Sequence, residues 1–203
     1  DLEGVSVRAS DSWSDISPRF VFDFHAPPDT LLFASLAKGY KAVGYNSLDI
    51  GAKFDNEDVW NLETGIKQVV PEANLQWNAS VYHYVYSDRQ AIRLDPNSAG
   101  SGVPRYLVDT SDEKAWGFDA GLQWQPTRAL TLDANAAFID ATYKDKIAAS
   151  GADLSGQATG EPDLSFSLGG QYRLVRAHAG NLVLSLRHAC RGKSRCNADR
   201  VFK

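Results

Sequence analysis

The chain has 203 residues, 43% of them hydrophobic, with a mean hydropathy of -0.32. No stretch approaches the ~18 consecutive apolar residues of a membrane helix, which excludes a helical membrane protein but leaves a barrel open, because barrel strands give lipid only every second residue. The 21 basic and 25 acidic residues are well mixed and sum to -4, so no long basic run is available to neutralise phosphates and no nucleic-acid partner is expected.

Taken in chain order, the predicted elements are strands. A weak one is expected at 3–10, and 18–25 places Phe20, Phe22 and Phe24 on one face. A strand at 30–38 follows, and 59–68 sets Trp60, Leu62 and Ile66 against Asn61, Glu63 and Lys67. Residues 75–88 carry Leu75, Trp77, Ala79, Val81 and Val85 on one face and Gln76, Asn78 and Ser80 on the other. The same division recurs at 115–125, where Phe118, Ala120, Leu122 and Trp124 oppose Asp119, Gln123 and Gln125. At 130–143, Leu130, Leu132, Ala134, Ala136 and Phe138 oppose Thr131, Asp133 and Asn135. At 162–174, Phe166, Leu168 and Tyr172 oppose Ser165, Ser167, Gln171 and Arg173, and 182–190 ends the series with Leu182, Leu184 and Leu186.

The connections alternate in length. Those at 26–30, 69–74, 126–129 and 175–181 are short and carry Pro, Gly or Asn, whereas 39–58, 89–114 and 144–161 are long. All short turns therefore lie at one end of an up-and-down sheet and all long loops at the other, as in outer-membrane β-barrels. A soluble sandwich or lipocalin-like barrel also alternates, with its apolar face inside. Strand length favours the membrane: the four best strands run 11 to 14 residues, against ~9–11 to cross a bilayer at a tilt and ~5–6 for soluble strands. Trp77, Trp124 and Tyr172 all fall near short turns on the apolar face, where an interfacial aromatic belt would sit. The membrane reading requires Leu132, Phe138, Trp124 and Phe166 to face outward and Asp133 and Gln123 to face a wet interior. Nine strands would leave the first and last parallel, and 197–203 are too few for a return strand, so a segment of a larger barrel is expected.

Functional side chains are sought on the long loops. Loop 89–114 holds Arg89, Arg93, Arg105 and Tyr106, and loop 39–58 holds Tyr40, Lys41, Tyr45 and Asn46. Arginine suits carboxylate or catecholate oxygens and tyrosine adds a stacking face and a hydroxyl, although wet loops are polar in any case. Nothing points to catalysis: no Ser or Cys sits in a nucleophile elbow, and His25, His83, His178 and His188 show no metal-ligand spacing. No catalytic residue, metal or cofactor is expected. Asn78-Ala79-Ser80 matches a glycosylation acceptor but reads better as interior lining of a strand. Cys190 and Cys196, in CRGKSRC, are spaced to close a small disulfide loop in an oxidising compartment; two free thiols or a metal pair are the other readings. The chain opens at Asp1 without an apolar leader, which says nothing about export.

The segments ISPRF (16–20), LFASLAKGYKAVGYN (32–46), VWNLETGIK (59–67), AWGFDAGLQWQPTRALTL (115–132), FIDATYKD (138–145) and GEPDLSFSLGGQYRL (160–174) resemble the C-terminal barrel half of TonB-dependent outer-membrane receptors, in order and spacing. The most specific pieces are Lys38-Gly39-Tyr40-Lys41 with Gly44-Tyr45-Asn46, the Glu63-Thr64-Gly65-Ile66-Lys67 strand, and Gly117-Phe118-Asp119 leading into Trp124-Gln125-Pro126-Thr127. Asp119 stands where the family usually has Glu, and the region around His188 and Cys190 is less typical. The resemblance implies an all-β, transmembrane, antiparallel up-and-down barrel of about 22 strands around a plugged lumen, of which residues 1–203 would supply roughly nine strands, without the N-terminal plug and the final strands. It also implies a Gram-negative outer membrane and energised uptake of a scarce nutrient, a ferric siderophore first, with cobalamin or a carbohydrate as alternatives. Its partners would be outer-membrane lipid, a small-molecule or metal-chelate ligand, and the TonB complex acting through the plug. Tyr40 to Asn46 being family-typical favours a structural loop base there. A small complete barrel serving as a structural or passive pore protein is the alternative reading. With two unpaired edges, the isolated segment is expected to aggregate.

Overall fold

The structure, a computed structural model, describes residues 12–45, 53–94, 106–148, 151–177 and 180–192. Its strands are β1 (Arg19–Ala26), β2 (Thr30–Lys41), β3 (Gly44–Tyr45), β4 (Lys53–Phe54), β5 (Glu57–Val70), β6 (Leu75–Leu94), β7 (Tyr106–Trp124), β8 (Leu130–Asp145), β9 (Leu164–Ala177) and β10 (Gly180–Arg191). Eight of them form one antiparallel sheet in the order β1-β2-β5-β6-β7-β8-β9-β10, while β3 and β4 pair as a small ribbon inside the 39–58 connection. Within this sheet each strand pairs with the next of the eight in chain order, and among the described residues β1 and β10 are its edges and do not pair with one another. The weak strand expected at 3–10 lies outside the described residues.

Tight turns are made by residues that tolerate them. After the short 3-10 turn Pro71–Ala73, Asn74 takes a left-handed conformation (φ 48°) and donates its backbone N–H to the Pro71 carbonyl at 3.0 Å. In the next turn the Thr127 hydroxyl accepts the N–H groups of Ala129 and Leu130 at 3.3 and 3.1 Å, so the backbone donors freed by the reversal are satisfied.

The strands outrun their sequence-based limits at the long-loop end. Residues 89–94 and 106–114, read from sequence as loop, continue the ladders of β6 and β7. Two bulges accompany this extension: one between Tyr86 and Arg89 in the β6–β7 pairing, the other between Asp112 and Glu113 in the β7–β8 pairing. At the first, Asp88 has φ 54° and its N–H reaches the Asp112 carboxylate at 3.0 Å, which is how a short acidic side chain supports a left-handed residue inside a strand.

The two faces settle where the apolar side chains go. Trp124, Phe138, Phe118 and Leu168 are 40%, 46%, 40% and 53% exposed, and no large side chain is fully buried among the described residues. Among the described residues these side chains do not gather into a dry centre. On the opposite face one hollow of about 1040 Å³ is lined by residues of β1, β2, β5, β6, β7, β8 and β10, including Lys67, Gln123, Asp133 and Arg187. Strands seven places apart in a flat sheet would stand roughly 34 Å apart, so a shared hollow requires the sheet to curl with its polar face inward. Among the described residues no helix is long and apolar enough to cross a membrane; the strands themselves are the spanning elements.

Register supplies an independent measure of tilt. The outward aromatics form two rows: Trp77, Trp124 and Tyr172 near the short turns, and Trp60 and Trp116 near the long loops. Trp124 pairs with Leu75, two residues nearer the turns than Trp77, and Tyr172 pairs with Leu130, two residues nearer the turns than Leu132, which pairs with Trp124. Across β6 to β9 the lower row therefore drifts by four residues. Strands ~4.8 Å apart and tilted by ~40° must shift by about 1.2 residues per strand to keep constant height, or about 3.6 over three strands. The upper row drifts the same way: Trp60 pairs with Val85 and Trp116 with His83. Both rows are level in a tilted barrel. Trp116 and Trp124 are eight residues apart on β7, about 27 Å along the strand and roughly 20 Å in height, close to the ~25 Å apolar band of an outer-membrane barrel.

Ala136 lies midway between the rows, facing outward with its partners Ala120 and Phe166. In the whole barrel, Ala136→Arg is expected to cost about 2–4 kcal/mol of folding free energy in lipid vesicles, whereas Asn135→Arg on the wet face should cost less than about 1 kcal/mol. Urea titration of both variants in vesicles checks this, and equal costs would contradict the assignment of faces.

Candidate functional site

The residues singled out from sequence are dispersed. Tyr40 is on the outward side of β2, where Lys38 Nζ lies 5.9 Å from its ring centre and pairs with Asp15 at 2.6 Å and Asp58 at 3.1 Å. The hydrogen bond from Lys38 is the main reason the Asp15 carboxyl is held below the usual carboxylate range. Tyr45 belongs to the β3–β4 ribbon, and Arg93 and Tyr106 belong to the far ends of β6 and β7, pairing with Leu107 and Leu94. All of these, and Arg89, are strand residues rather than loop residues. Arg105 lies outside the described residues. Cys190 is exposed on β10 opposite Phe166, on the outward face, and Cys196 lies outside the described residues.

What the fold does bring together is an inward row on β6. Period-two alternation puts Tyr82, Tyr84 and Tyr86 on the polar face, and the bulge that follows restores Arg89 to that same face. The Tyr82 and Tyr84 rings lie parallel, 7° apart with centres at 6.4 Å, and Tyr86 meets Tyr84 edge-on at 5.2 Å. Tyr82 pairs with Gly117 and the phenol end of its ring covers that glycine: a Cβ built there would collide with Cζ, Oη and Cε2 of the ring. The glycine lets the tyrosine lie flat on the wall. Glu63 on β5 and Asp119 on β7 flank the row, and with Asn61 they close a recess of about 380 Å³.

Above the recess the Arg89 guanidinium, 5.4 Å from the Tyr86 ring centre, is bound by two carboxylates. It makes a short ion pair with Glu113, whose side chain is 5% exposed, and a longer one with Glu161 at 3.4 Å. The Ser111 hydroxyl donates to the second Glu113 oxygen at 3.0 Å. A carboxylate this buried needs its charge and lone pairs met, and arginine's fork does both.

Glu161 arrives because the connection 146–163 folds back on β8. Tyr143 N–H donates to Gln157 O at 2.9 Å, Gly156 N–H to Tyr143 O at 2.7 Å, and Thr159 N–H to Ala141 O at 3.0 Å. Among the described residues the buried apolar ones gather here: Ala115, Ala141 and Tyr143 on the wall, and Ala148 and Leu154 in the fold-back itself, the last two clustered with Tyr143. Ala115, Ala141 and Tyr143 are on the inward face, so the segment covers the interior wall and leaves the outward Trp116, stacked on His83 at 4.4 Å, exposed.

At the turn end, Asp133 leans across Gly169 towards Arg187, which it meets at 3.4 Å; the missing glycine side chain opens that path between β8 and β10. The tyrosine row and both acidic partners of Arg89 were not singled out from sequence. The row had a readable signal, a Tyr at every second position of YHYVY in 82–86; the partners had none.

The family model for "TonB dependent receptor-like, beta-barrel" matches residues 2–199. Among solved structures, the ferric yersiniabactin uptake receptor of Yersinia pestis is 16% identical, with a TM-score of 0.67 over 86% of this chain and 25% of its own. The ferric preacinetobactin receptor of Acinetobacter baumannii is 18% identical, with a TM-score of 0.64 over 90% of this chain and 26% of its own. The alcaligin outer-membrane receptor of Bordetella pertussis is 15% identical, with a TM-score of 0.57 over 87% of this chain and 29% of its own. The chain thus spans a quarter to somewhat over a quarter of the length of these structures, and what it shares with them is the curled, up-and-down sheet.

Proposed function

Because this chain belongs to the TonB-dependent receptor-like β-barrel family, whose barrels sit in the Gram-negative outer membrane and are receptors and transporters rather than enzymes, we propose that it forms part of the wall of an active importer of a scarce nutrient. The observation that carries this reading is the pair of faces: an outward apolar band between two level aromatic rows, and an inward polar wall holding a tyrosine-lined recess. Such a wall meets solutes in the lumen and contributes contacts to them, with stacking faces and acceptors already in place. A ferric siderophore is the ligand class we favour, since the three solved relatives above include receptors whose names specify ferric chelates. Energy would come from TonB through a plug domain seated against the inward wall. Tyr82, Tyr84 and Tyr86, with Arg89 above them, are the contacts proposed for the ligand's passage; Arg93, Arg105 and Tyr106 stay candidates for ligand contact.

Radioiron uptake tests this. Iron-starved cells expressing the whole receptor should accumulate iron from at least one ferric chelate, and accumulation should vanish when TonB is deleted. Uptake of no ferric chelate, or uptake indifferent to TonB, would overturn the proposal and favour a passive pore.

A further inference from the structure

We propose that the recess at Glu63, Tyr84 and Asp119 sorts solutes by charge, favouring cationic and neutral ones and turning polyanions away. The inference builds on the reading that this wall faces an imported ligand, and it narrows the class of that ligand. Its basis is which charges are already committed. Arg89, the cation beside the tyrosine row, is held by Glu113 and Glu161 together, so its charge is more than balanced before any solute arrives. Glu63 and Asp119 are different. They line the recess from either side of β6, and neither has a basic group within ion-pair distance among the described residues. The inward lysine of β5, Lys67, lies four residues further along the strand towards the short turn and places its ammonium 5.3 Å from the Phe33 ring centre.

The tyrosines reinforce the sign. Their ring faces carry the negative side of the aromatic quadrupole and attract cations, and Tyr84, held between the parallel Tyr82 and the edge-on Tyr86, presents such a face at a fixed height. A polyanion entering the recess would meet ring faces of the same sign and two carboxylates that have no ion-pair partner among the described residues; the cations Arg19 and Lys67 share a neighbouring hollow with Glu63 but do not line the recess. Like-charge juxtaposition of this kind discriminates between ligands more than it adds affinity. A chelate with an ammonium arm, or a neutral trihydroxamate offering hydroxyl and amide donors, would instead find acceptors.

The test uses the whole receptor in detergent, with Tyr84→Cys as its single cysteine and every other cysteine replaced by serine. The Cys at 84 is labelled with a cationic and an anionic methanethiosulfonate of equal size, and the ratio of rates is normalised to a small free thiol in the same buffer. At low salt the normalised ratio should favour the cation by about fivefold, falling towards one at high salt, and adding Glu63→Gln with Asp119→Asn should bring it close to one at any salt. A normalised ratio at or below one, or one unchanged by the two amide substitutions, overturns the proposal. A second arm measures tryptophan quenching of the unsubstituted receptor by a monocationic ferric trihydroxamate, a neutral one and a trianionic ferric tris-catecholate. Tighter binding of the trianion overturns charge sorting while leaving the receptor reading intact. If no chelate binds and the thiol ratio holds, the ferric ligand is wrong and the sign of the wall stands.

Discussion

Arg89→Ala in the whole receptor is expected to lower its stability by about 2–3 kcal/mol and to release the 146–163 segment from the wall. Removing one partner of a fully buried ion pair costs about 3–5 kcal/mol, because the other charge is left without compensation. Here the discount comes from Arg89 itself, whose side chain is 36% exposed and already partly hydrated. The remainder stays large because Glu113 is nearly buried and would retain only the Ser111 hydroxyl. Glu161, 37% exposed, loses little on its own account, but it is the connection's polar tie to β6. Without that tie, amide exchange at Tyr143 and Thr159, whose N–H groups hold the fold-back to β8, should quicken more than exchange in the spanning parts of the strands. Adding Glu113→Gln to Arg89→Ala should restore roughly half of the loss, since a neutral amide tolerates burial with one partner better than a carboxylate does. A change under about 0.5 kcal/mol on urea unfolding in vesicles, the level of an ordinary surface pair, would show that the contact carries little of the fold-back's stability.

That contact also marks where sequence patterning stops being informative. Between the aromatic rows lipid touches one face and water the other, so period-two alternation is imposed on every strand and 75–88, 115–125, 130–143 and 162–174 are legible without a structure. Above the upper row both faces are wet. Alternation has no reason to persist there, and 89–94 and 106–114 read as loop although the ladder continues through them. Position along a strand was legible but height was not: Trp60 could be placed on the apolar face, yet seeing it level with Trp116 requires the registers of β5, β6 and β7. The same limit hides the site. Arg89 is bound by residues 24 and 72 positions away, and no local spacing encodes a pairing made by a fold-back. Looking for ligand contacts in loops dispersed the candidates, whereas the YHYVY row lay in plain alternation on the face assigned to water.

Gly117→Val tests the recess where sequence and register meet. The Gly-Phe-Asp piece was recognisable as a family pattern, but its physical basis is that Tyr82, directly opposite on β6, lies over the glycine. Any Cβ at 117 collides with that ring, and a branched one leaves no room for a small adjustment. The ring must then swing off the wall, which breaks its parallel contact with Tyr84 and exposes a side chain that the glycine had allowed to lie flat. We expect a stability loss of about 1–3 kcal/mol, the usual range for overpacking, and a larger relative loss of ligand affinity, about tenfold or more, as the displaced ring occupies the recess. Tyr82→Ala combined with Gly117→Val should recover most of the stability, because the colliding group is gone, but little of the affinity, because the stacked pair is gone too. The outward Gly170 is the matched control: a Cβ there meets Leu132 Cδ2 at 3.4 Å, an ordinary contact, so Gly170→Ala should change stability by less than about 0.5 kcal/mol and leave binding as it was. Should Gly117→Val fold and bind like the parent receptor, the ring does not rest on the glycine in the membrane, and the recess has a different shape from the one described.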